Sequence, residues 1–262
     1  MIEIDSKKYI IDSDEIIGDI KYIHEFYSIY LKNERDIIIW LPPSYHYSEK
    51  NYPVLYMQDG QNLFDPNTSF IGYDWKVDEV ATGLIKEKLL NEIIIVGIYN
   101  SKDRIEEYNY FTLKGKRYAN FLVKELKPFI DENFKTISKA SKTGLMGSSM
   151  GGLISFQLFW NFPKIFGKAA CLSNSFWVNE GEVFEMVDKI NNIFNEKNKL
   201  YIDCGSEEKE LLDDFNKMVS ILENNKILNK ETFYYHLEKG SRHNEKDWSN
   251  RIHIPLRFLF GK

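Results

Sequence analysis

The sequence predicts an α/β fold in a single domain over residues 1–262, with a mostly parallel central sheet, an N-terminal antiparallel hairpin and helices on both faces. Three observations predict it. Short apolar runs alternate with amphipathic stretches of helical period, which is typical of strands joined by crossover helices. Two β-rich runs near the start are separated by a short polar segment. No internal repeat or Pro/Gly/Ser-rich linker divides the chain.

The sheet is predicted from apolar runs without polar alternation, because strands of a parallel sheet are covered on both faces. These runs are residues 53–57, 92–98, 142–146, 168–172, 199–203 and 232–237. Residues 27–31 and 37–41 are rich in β-branched and aromatic side chains, and the polar residues 32–35 join them. This pair is predicted to form the antiparallel hairpin.

Helices are predicted where apolar residues recur at three- and four-residue spacing, as in residues 118–130 and 211–222. Residues 152–162 are apolar on most faces and stop at Pro163, which predicts a deeply packed helix. An apolar helix over residues 252–260 is predicted to close the chain.

Composition excludes several classes of function. The formal net charge is -5 and no block of like charges stands out, which argues against nucleic-acid binding. No run approaches the roughly 18 apolar residues of a membrane helix. The N-terminus lacks the features of a secretory signal, so we expect a cytoplasmic protein. Cys171 and Cys204 lie in apolar runs outside any CxxC pair, so we expect buried free thiols.

The most informative segment is Gly147-Ser148-Ser149-Met150-Gly151, a G-x-S-x-G pattern. A buried-strand run precedes it and a helical run follows, which is the setting of the nucleophile turn in the α/β-hydrolase fold. The flanking glycines let the chain fold back sharply, and the turn directs the start of the next helix toward the reacting centre. Ser149 is therefore the predicted nucleophile, and Ser148 is one residue out of register.

A serine nucleophile needs a base, which is usually an oriented histidine. The order along the chain in this fold is serine, acid, histidine, so the base must follow Ser149. His236 lies within a predicted strand and His253 within the closing helix, where structural roles are expected. His243 follows the last predicted strand in a polar loop, and we predict it as the base.

The acid should lie just after the strand predicted at residues 199–203. Asp203, Glu207 and Glu208 are the candidates there. Asp203 is at the end of the strand, whereas the two glutamates are in the loop beyond it. The residue types alone do not choose among the three.

The oxyanion hole is predicted from two backbone N–H groups, those of Gln61 and Met150. Gln61 follows Gly60 in the loop after the strand at residues 53–57, and Met150 follows the nucleophile. An ordinary Asp-Gly turn is the alternative interpretation of this loop.

Candidates for the substrate pocket are Asn174, Trp177 and Tyr108, although such aromatic residues serve equally well in a core. Histidine and cysteine clusters with metal-ligand spacing are missing from the sequence, as are Gly-rich nucleotide loops. We therefore expect neither a metal nor a cofactor.

Several segments together resemble one known family. They are residues 38–45, 54–64, 75–79, 104–108, 125–131, 147–152, 205–208 and 242–248, in the expected order. The chain resembles, over nearly its whole length, the putative esterase family of α/β-hydrolases. That family includes enterochelin (siderophore) esterases, feruloyl and acetyl-xylan esterases, S-formylglutathione hydrolases and mycolyltransferases.

The resemblance implies a serine esterase that needs no cofactor and acts on a small-molecule ester, such as an acylated sugar or a siderophore-type ester. The family carries its acid at the fourth position of a G-[ST]-x-[DE] segment, here residues 205–208, which selects Glu208. The adjacent Glu207 stays an alternative. The resemblance also supports His243, Gln61 and Met150 in the roles given above.

Two other hypotheses stay open from the sequence. An acyltransferase or thioesterase could use the same triad with a different acceptor. A non-catalytic binding module on the same fold is the alternative from another class, and it would predict a damaged triad.

Overall fold

The predicted apolar runs form six strands of one eight-stranded sheet in a computed structural model that describes residues 16–188, 194–224 and 228–262. The strands are β1 (Asp19–Ser28), β2 (Asn33–Leu41), β3 (Val54–Gln58), β4 (Ile94–Ile98), β5 (Thr143–Ser148), β6 (Lys168–Leu172), β7 (Lys199–Gly205) and β8 (Phe233–Glu238). Their order across the sheet is β1-β2-β4-β3-β5-β6-β7-β8. Strands β3 to β8 are mutually parallel, whereas β1 and β2 run antiparallel to their neighbours.

Helices cover both faces of this sheet, as the alternation of elements predicts. They are α1 (Val77–Lys86), α2 (Arg104–Glu107), α3 (Leu113–Phe121), α4 (Lys127–Asn133), α5 (Met150–Asn161), α6 (Val178–Asp188), α7 (Lys209–Asn224), α8 (Glu245–Arg251) and α9 (His253–Phe260). One buried core contains apolar residues of α3 to α7, and a second contains those of α1, α8 and α9. A π-helical turn, Leu122–Leu126, joins α3 to α4.

The hairpin exists, but its first strand is longer and earlier than predicted. β1 begins at Asp19, and residues 29–32 form the turn rather than a strand. β2 begins at Asn33, so residues 33–35 of the polar segment predicted as the loop lie within it. The buried Arg35 is accommodated there by its ion pair with Glu107, at 3.0 Å. A distant partner of this kind is not visible in the local sequence.

The last strand also differs from its prediction as a strand buried on both faces. β8 is hydrogen-bonded to β7 at the edge of the described sheet. Tyr234 and Leu237 are 42% and 50% exposed as a result. Cys171 and Cys204 are buried free thiols, as predicted. Among the helices that the structure describes, none combines the length and apolar character needed to cross a membrane.

Candidate active site

The nucleophile turn joins β5 to α5 at the middle of the sheet. Ser149 has φ 54° and ψ -122°, a left-handed backbone conformation that a non-glycine residue rarely adopts. A Cβ on Gly147 would lie 2.6 Å from the carbonyl carbon of Gly151, so a side chain there would prevent the tight return of the chain. The steric reason for the glycine pattern is therefore present in the structure.

The two predicted oxyanion donors lie at the same edge of the sheet. Gln61 is in the loop that follows β3, and Met150 is the first residue of α5, after β5. β3 and β5 are adjacent parallel strands, so both loops emerge at their shared carboxyl edge. Within the described residues, neither the Gln61 N–H nor the Met150 N–H has a hydrogen-bond partner. Both N–H groups therefore stay candidates for the oxyanion hole.

The loop before Gln61 is held by a clamp on Asp59, which itself has a left-handed backbone with φ 56°. Arg104 donates from Nε to Asp59 Oδ1 and from Nη2 to Oδ2, each at 2.7 Å. Asn100 Nδ2 donates to Oδ1 at 2.6 Å. Burial alone would lower the pKa of Arg104, but its bonds to Asp59 raise that pKa above the ordinary value. The loop is therefore fixed by a charged, two-pronged contact.

Tyr108 belongs to this support and not to the substrate pocket. Its side chain is 0% exposed, and its hydroxyl accepts a hydrogen bond from the Asp59 N–H at 3.2 Å. The ring packs against Tyr118 with centroids 5.3 Å apart. The expectation that Tyr108 lines the pocket is wrong, because the residue lies beneath the loop, where a substrate has no access.

We expect Arg104→Lys to lower kcat/KM by about 10-fold. Lysine keeps the charge but loses the planar fork that holds both oxygens of Asp59, so the Gln61 N–H becomes less well positioned. The loss should fall on kcat, because Gln61 as the predicted oxyanion donor would act in the transition state. Steady-state kinetics measure it, with Arg257→Lys on the exposed side of α9 as control. An unchanged kcat in Arg104→Lys would contradict the clamp.

His243 lies in the loop between β8 and α8. Its Nδ1 is 3.7 Å from Glu208 Oε1, a charge contact slightly longer than a hydrogen bond. The ring packs edge-on against Trp248, with centroids 5.0 Å apart and planes at 83°. The other two candidate histidines lie elsewhere: His236 contacts Glu238 in β8 at 2.7 Å, and His253 is exposed at the start of α9.

Among the three candidate acids, Glu208 is the one whose carboxylate faces the His243 imidazole. Its carboxylate is 1% exposed, and it accepts hydrogen bonds from Ser173 Oγ at 2.7 Å and Cys204 Sγ at 3.2 Å. Burial alone would raise the pKa of Glu208, but contact with His243 and these hydrogen bonds hold the pKa below its ordinary value. The carboxylate therefore stays ionised at neutral pH.

The two other candidate acids are placed differently. Asp203 is fully buried within β7 and pairs with Arg251, whose Nε donates to Oδ2 at 3.0 Å. Glu207 is exposed, and its backbone N–H donates to Ser241 O. Neither carboxylate contacts His243 in the part of the chain that the structure describes.

A buried network behind Glu208 was not found from the sequence. Ser173 Oγ donates to Glu208 and accepts hydrogen bonds from Trp248 Nε1 at 2.9 Å and Arg251 Nη2 at 2.8 Å. Arg251 also donates to Asp203 in β7. The Ser173 hydroxyl therefore links the loop that carries Glu208 to Trp248 and Arg251 of α8. The only signal in the sequence was that Trp248 lies in the segment that carries the family resemblance.

A surface cavity of about 540 Å³ brings the predicted catalytic residues together. It is lined by Ser149, Ser175, Trp177, Glu207, Glu208, Lys209, Glu210, Leu211 and His243. Trp177, one of the candidates for the substrate pocket, is 58% exposed and forms part of the cavity wall. Asn174, another candidate, is not among the residues that line the cavity, and its Nδ2 instead donates to Cys171 O.

One acidic cluster lies outside this cavity. Asp74, Asp78 and Glu79 bring carboxylate oxygens within 4.8 Å of one another, a spacing at which they could hold a cation. Asp78 also accepts a hydrogen bond from the Ile17 N–H at 2.6 Å. Burial, with Glu79 beside it, raises the pKa of Asp78 to about 9. The Asp78 carboxyl therefore keeps its proton at neutral pH, and its contact with the Ile17 N–H ties residue 17 to α1.

We expect Asp78→Asn to stabilise the protein more at pH 8 than at pH 5. Between about pH 4 and pH 9 the native protein holds a proton that the unfolded chain has released, so stability falls as pH rises through this window. The slope is at most about 1.4 kcal/mol per pH unit. Asparagine needs no proton and still accepts from Ile17. Urea unfolding at both pH values measures the effect, and an equal change at both would contradict the raised pKa.

Solved structures show the same fold. A ferulic acid esterase superposes with a TM-score of 0.76, covering 92% of this chain and 98% of its own, at 21% sequence identity. The ferric enterobactin esterase from Salmonella typhimurium superposes with a TM-score of 0.77, covering 93% of this chain and 58% of its own, at 18% identity. The fold is therefore that of the α/β-hydrolase-type esterases.

Sequence comparison identifies the family. Protein YbbA of Bacillus subtilis (strain 168) is 25% identical over 249 residues, which are 87% of this chain and 93% of YbbA. The model of the family described as Putative esterase matches residues 28–258. This chain belongs to that family, and its class of reaction is the hydrolysis of carboxylic esters.

Proposed function

We propose that the protein is a serine esterase that works through an acyl-enzyme, with Ser149, His243 and Glu208 as its triad. The observation that carries the proposal is that all three side chains line one cavity, while Ser149 has the left-handed backbone of a nucleophile turn. They come from the loops after β5, β8 and β7, three strands whose carboxyl ends lie at one edge of the sheet. Ligands of open α/β sheets bind at this edge.

In the proposed reaction, Ser149 Oγ attacks the ester carbonyl and His243 accepts its proton. Glu208 holds the imidazole in the required tautomer and stabilises the cation that forms. The N–H groups of Gln61 and Met150 hold the oxyanion, after which His243 protonates the leaving alcohol. Water then attacks the acyl-enzyme with His243 as base, which restores Ser149 and releases the acid.

The distances describe a resting arrangement that must tighten for the reaction. His243 is 3.7 Å from Glu208, and the hydrogen-bond partner of the Ser149 hydroxyl among the described residues is Ser175. Catalytic hydrogen bonds of ligand-free enzymes are often long and shorten in the substrate complex. A movement of the His243 loop that brings the imidazole into hydrogen-bond contact with both Ser149 and Glu208 would complete the triad.

The residues that line the cavity favour as substrate an uncharged ester with a polar alcohol, such as an acylated sugar. Trp177 and Leu211 supply apolar surface, and an exposed indole is suited to stacking on an aromatic acyl group or a sugar ring. Glu207 and Glu210 on the rim outnumber Lys209. A ferric catecholate complex is an anion and would be repelled by this rim, so the siderophore-type ester is the less favoured substrate.

The proposal is tested by measuring kcat/KM for p-nitrophenyl acetate, methyl ferulate, an acetylated xylose and a ferric catecholate lactone under one set of conditions. We expect the neutral esters to be hydrolysed at least about 10-fold faster than the ferric complex. Hydrolysis of the ferric lactone alone would contradict the proposed substrate class. Inactivity toward every ester would contradict the esterase itself.

A further inference from the structure

A second hydroxyl lies beside the proposed nucleophile. Ser175 Oγ is 3.3 Å from Ser149 Oγ and faces the same cavity, although the residue is only 3% exposed. It reaches this position because β5 and β6 are adjacent parallel strands, so that the loop after β6 passes over the nucleophile turn. The sequence pattern drew attention to the flanking Asn174 and Trp177 but not to this serine.

The backbone fixes Ser175 against the turn. Its N–H donates to Ser149 O at 3.4 Å, and the Ser149 N–H donates to Leu172 O at 2.9 Å. Val178 N donates to Ser175 O at 3.3 Å at the start of α6. The main-chain hydrogen bond from Ser175 to Ser149 therefore holds the two residues side by side, and only the χ1 rotations of the two side chains set the distance between their hydroxyls.

The Ser175 hydroxyl has one hydrogen-bond partner among the described residues. Throughout the residues that the structure describes, the hydrogen-bond partner of Ser175 Oγ is Ser149 Oγ. Ser173, two residues earlier, is instead engaged by three side chains in the network behind Glu208. A buried hydroxyl is normally hydrogen-bonded, so the nucleophile is the group that satisfies Ser175.

We propose that Ser175 is a further catalytic residue, whose hydroxyl donates a hydrogen bond to Ser149 Oγ as that oxygen loses its proton to His243. Ser175 keeps its own proton, so the transfer is from Ser149 to His243 alone and the charges balance. The same donor stabilises Ser149 Oγ when this oxygen leaves the acyl group in the second half of the reaction. The inference rests on the proposed role of Ser149.

The hydrogen bond from Ser175 assists the reaction because it becomes stronger as negative charge develops on Ser149 Oγ. In the resting enzyme it joins two neutral hydroxyls at a long distance, which is a weak interaction. Hydrogen bonds to an ionised acceptor are shorter and stronger. An interaction that is stronger in the transition state than in the ground state accelerates the chemical step. The expected contribution is about 10- to 100-fold in rate.

The test measures the reactivity of Ser149 separately from substrate binding. Wild type, Ser175→Ala, Ser175→Thr and Ser148→Ala are compared in steady-state hydrolysis of p-nitrophenyl acetate and in the second-order rate of phosphonylation by a fluorophosphonate. We expect Ser175→Ala to lower kcat and the phosphonylation rate by about 10- to 100-fold, with KM within about twofold of wild type. Ser175→Thr keeps a hydroxyl and should recover most of the rate.

Ser148→Ala removes a neighbouring buried hydroxyl and controls for loosened packing, and melting temperatures show whether each variant is folded. Wild-type rates in Ser175→Ala, or a change in KM with kcat unaltered, would overturn the inference. The proposed function is checked separately with Ser149→Ala. If Ser149→Ala is inactive while Ser175→Ala is fully active, only the role of Ser175 fails. If Ser149→Ala is active, both fail.

Discussion

Ser149→Ala is expected to lower kcat/KM for p-nitrophenyl acetate by about 10⁴-fold or more. The substitution removes the only atom that forms the acyl bond in the proposed reaction, while the Gln61 and Met150 N–H groups stay in place. The residual rate should be that of water attack on an ester held in the oxyanion hole. KM should change little, because the cavity walls are unaltered.

The matched control is Ser148→Ala, because Ser148 is a serine of the same turn that ends β5 and does not line the cavity. We expect it to stay within about threefold of wild type. His243→Ala should lose activity to a similar extent as Ser149→Ala, and the double variant should be no worse than either single one. Additive losses in the double variant would show that the two residues do not act as one unit.

Glu208→Gln is expected to lower kcat by about 10³- to 10⁴-fold. Glutamine is close to glutamate in shape and can still accept the hydrogen bond from Ser173. It has no charge to stabilise the imidazolium, and its amide favours the wrong tautomer of His243. The loss should appear in kcat at every pH at which wild type is active.

Glu207→Gln is the matched control, since the two glutamates are adjacent and differ in burial. Glu207 is exposed on the rim of the cavity, whereas Glu208 is buried against His243. We expect Glu207→Gln to stay within about threefold of wild type. The opposite pattern, with Glu207→Gln inactive and Glu208→Gln active, would transfer the role of acid to Glu207.

The sequence predicts the centre of the fold better than its edges. Strands β3 to β7 are buried on both faces, so each appears as a continuous apolar run, and β6 has the predicted bounds. β1 alternates buried with exposed residues, and β2 contains Arg35, whose charge is neutralised by Glu107 on a distant helix. These strands depend on tertiary partners, which explains why the predicted hairpin was displaced.

In the candidate site, too, the residues that depend on local sequence features were predicted and those that depend on distant contacts were not. Ser149 and His243 follow from local features, namely a glycine-flanked turn and a polar loop after a strand. Tyr108 was misplaced because an aromatic residue in a loop can be buried beneath it as readily as exposed above it. Ser173, Ser175 and Arg251 were missed because their roles come from contacts between segments up to 78 residues apart.

The central claim, that an acyl group is transferred to Ser149, is tested most directly by mass spectrometry of the trapped enzyme. The protein is treated with a fluorophosphonate, and its intact mass, its labelled peptide and its remaining esterase activity are measured together. We predict one added phosphonyl group, on Ser149, with activity lost in proportion to labelling and with no labelling of Ser149→Ala. Full esterase activity in protein that is completely labelled on Ser149, or stoichiometric labelling of another residue, would contradict this account.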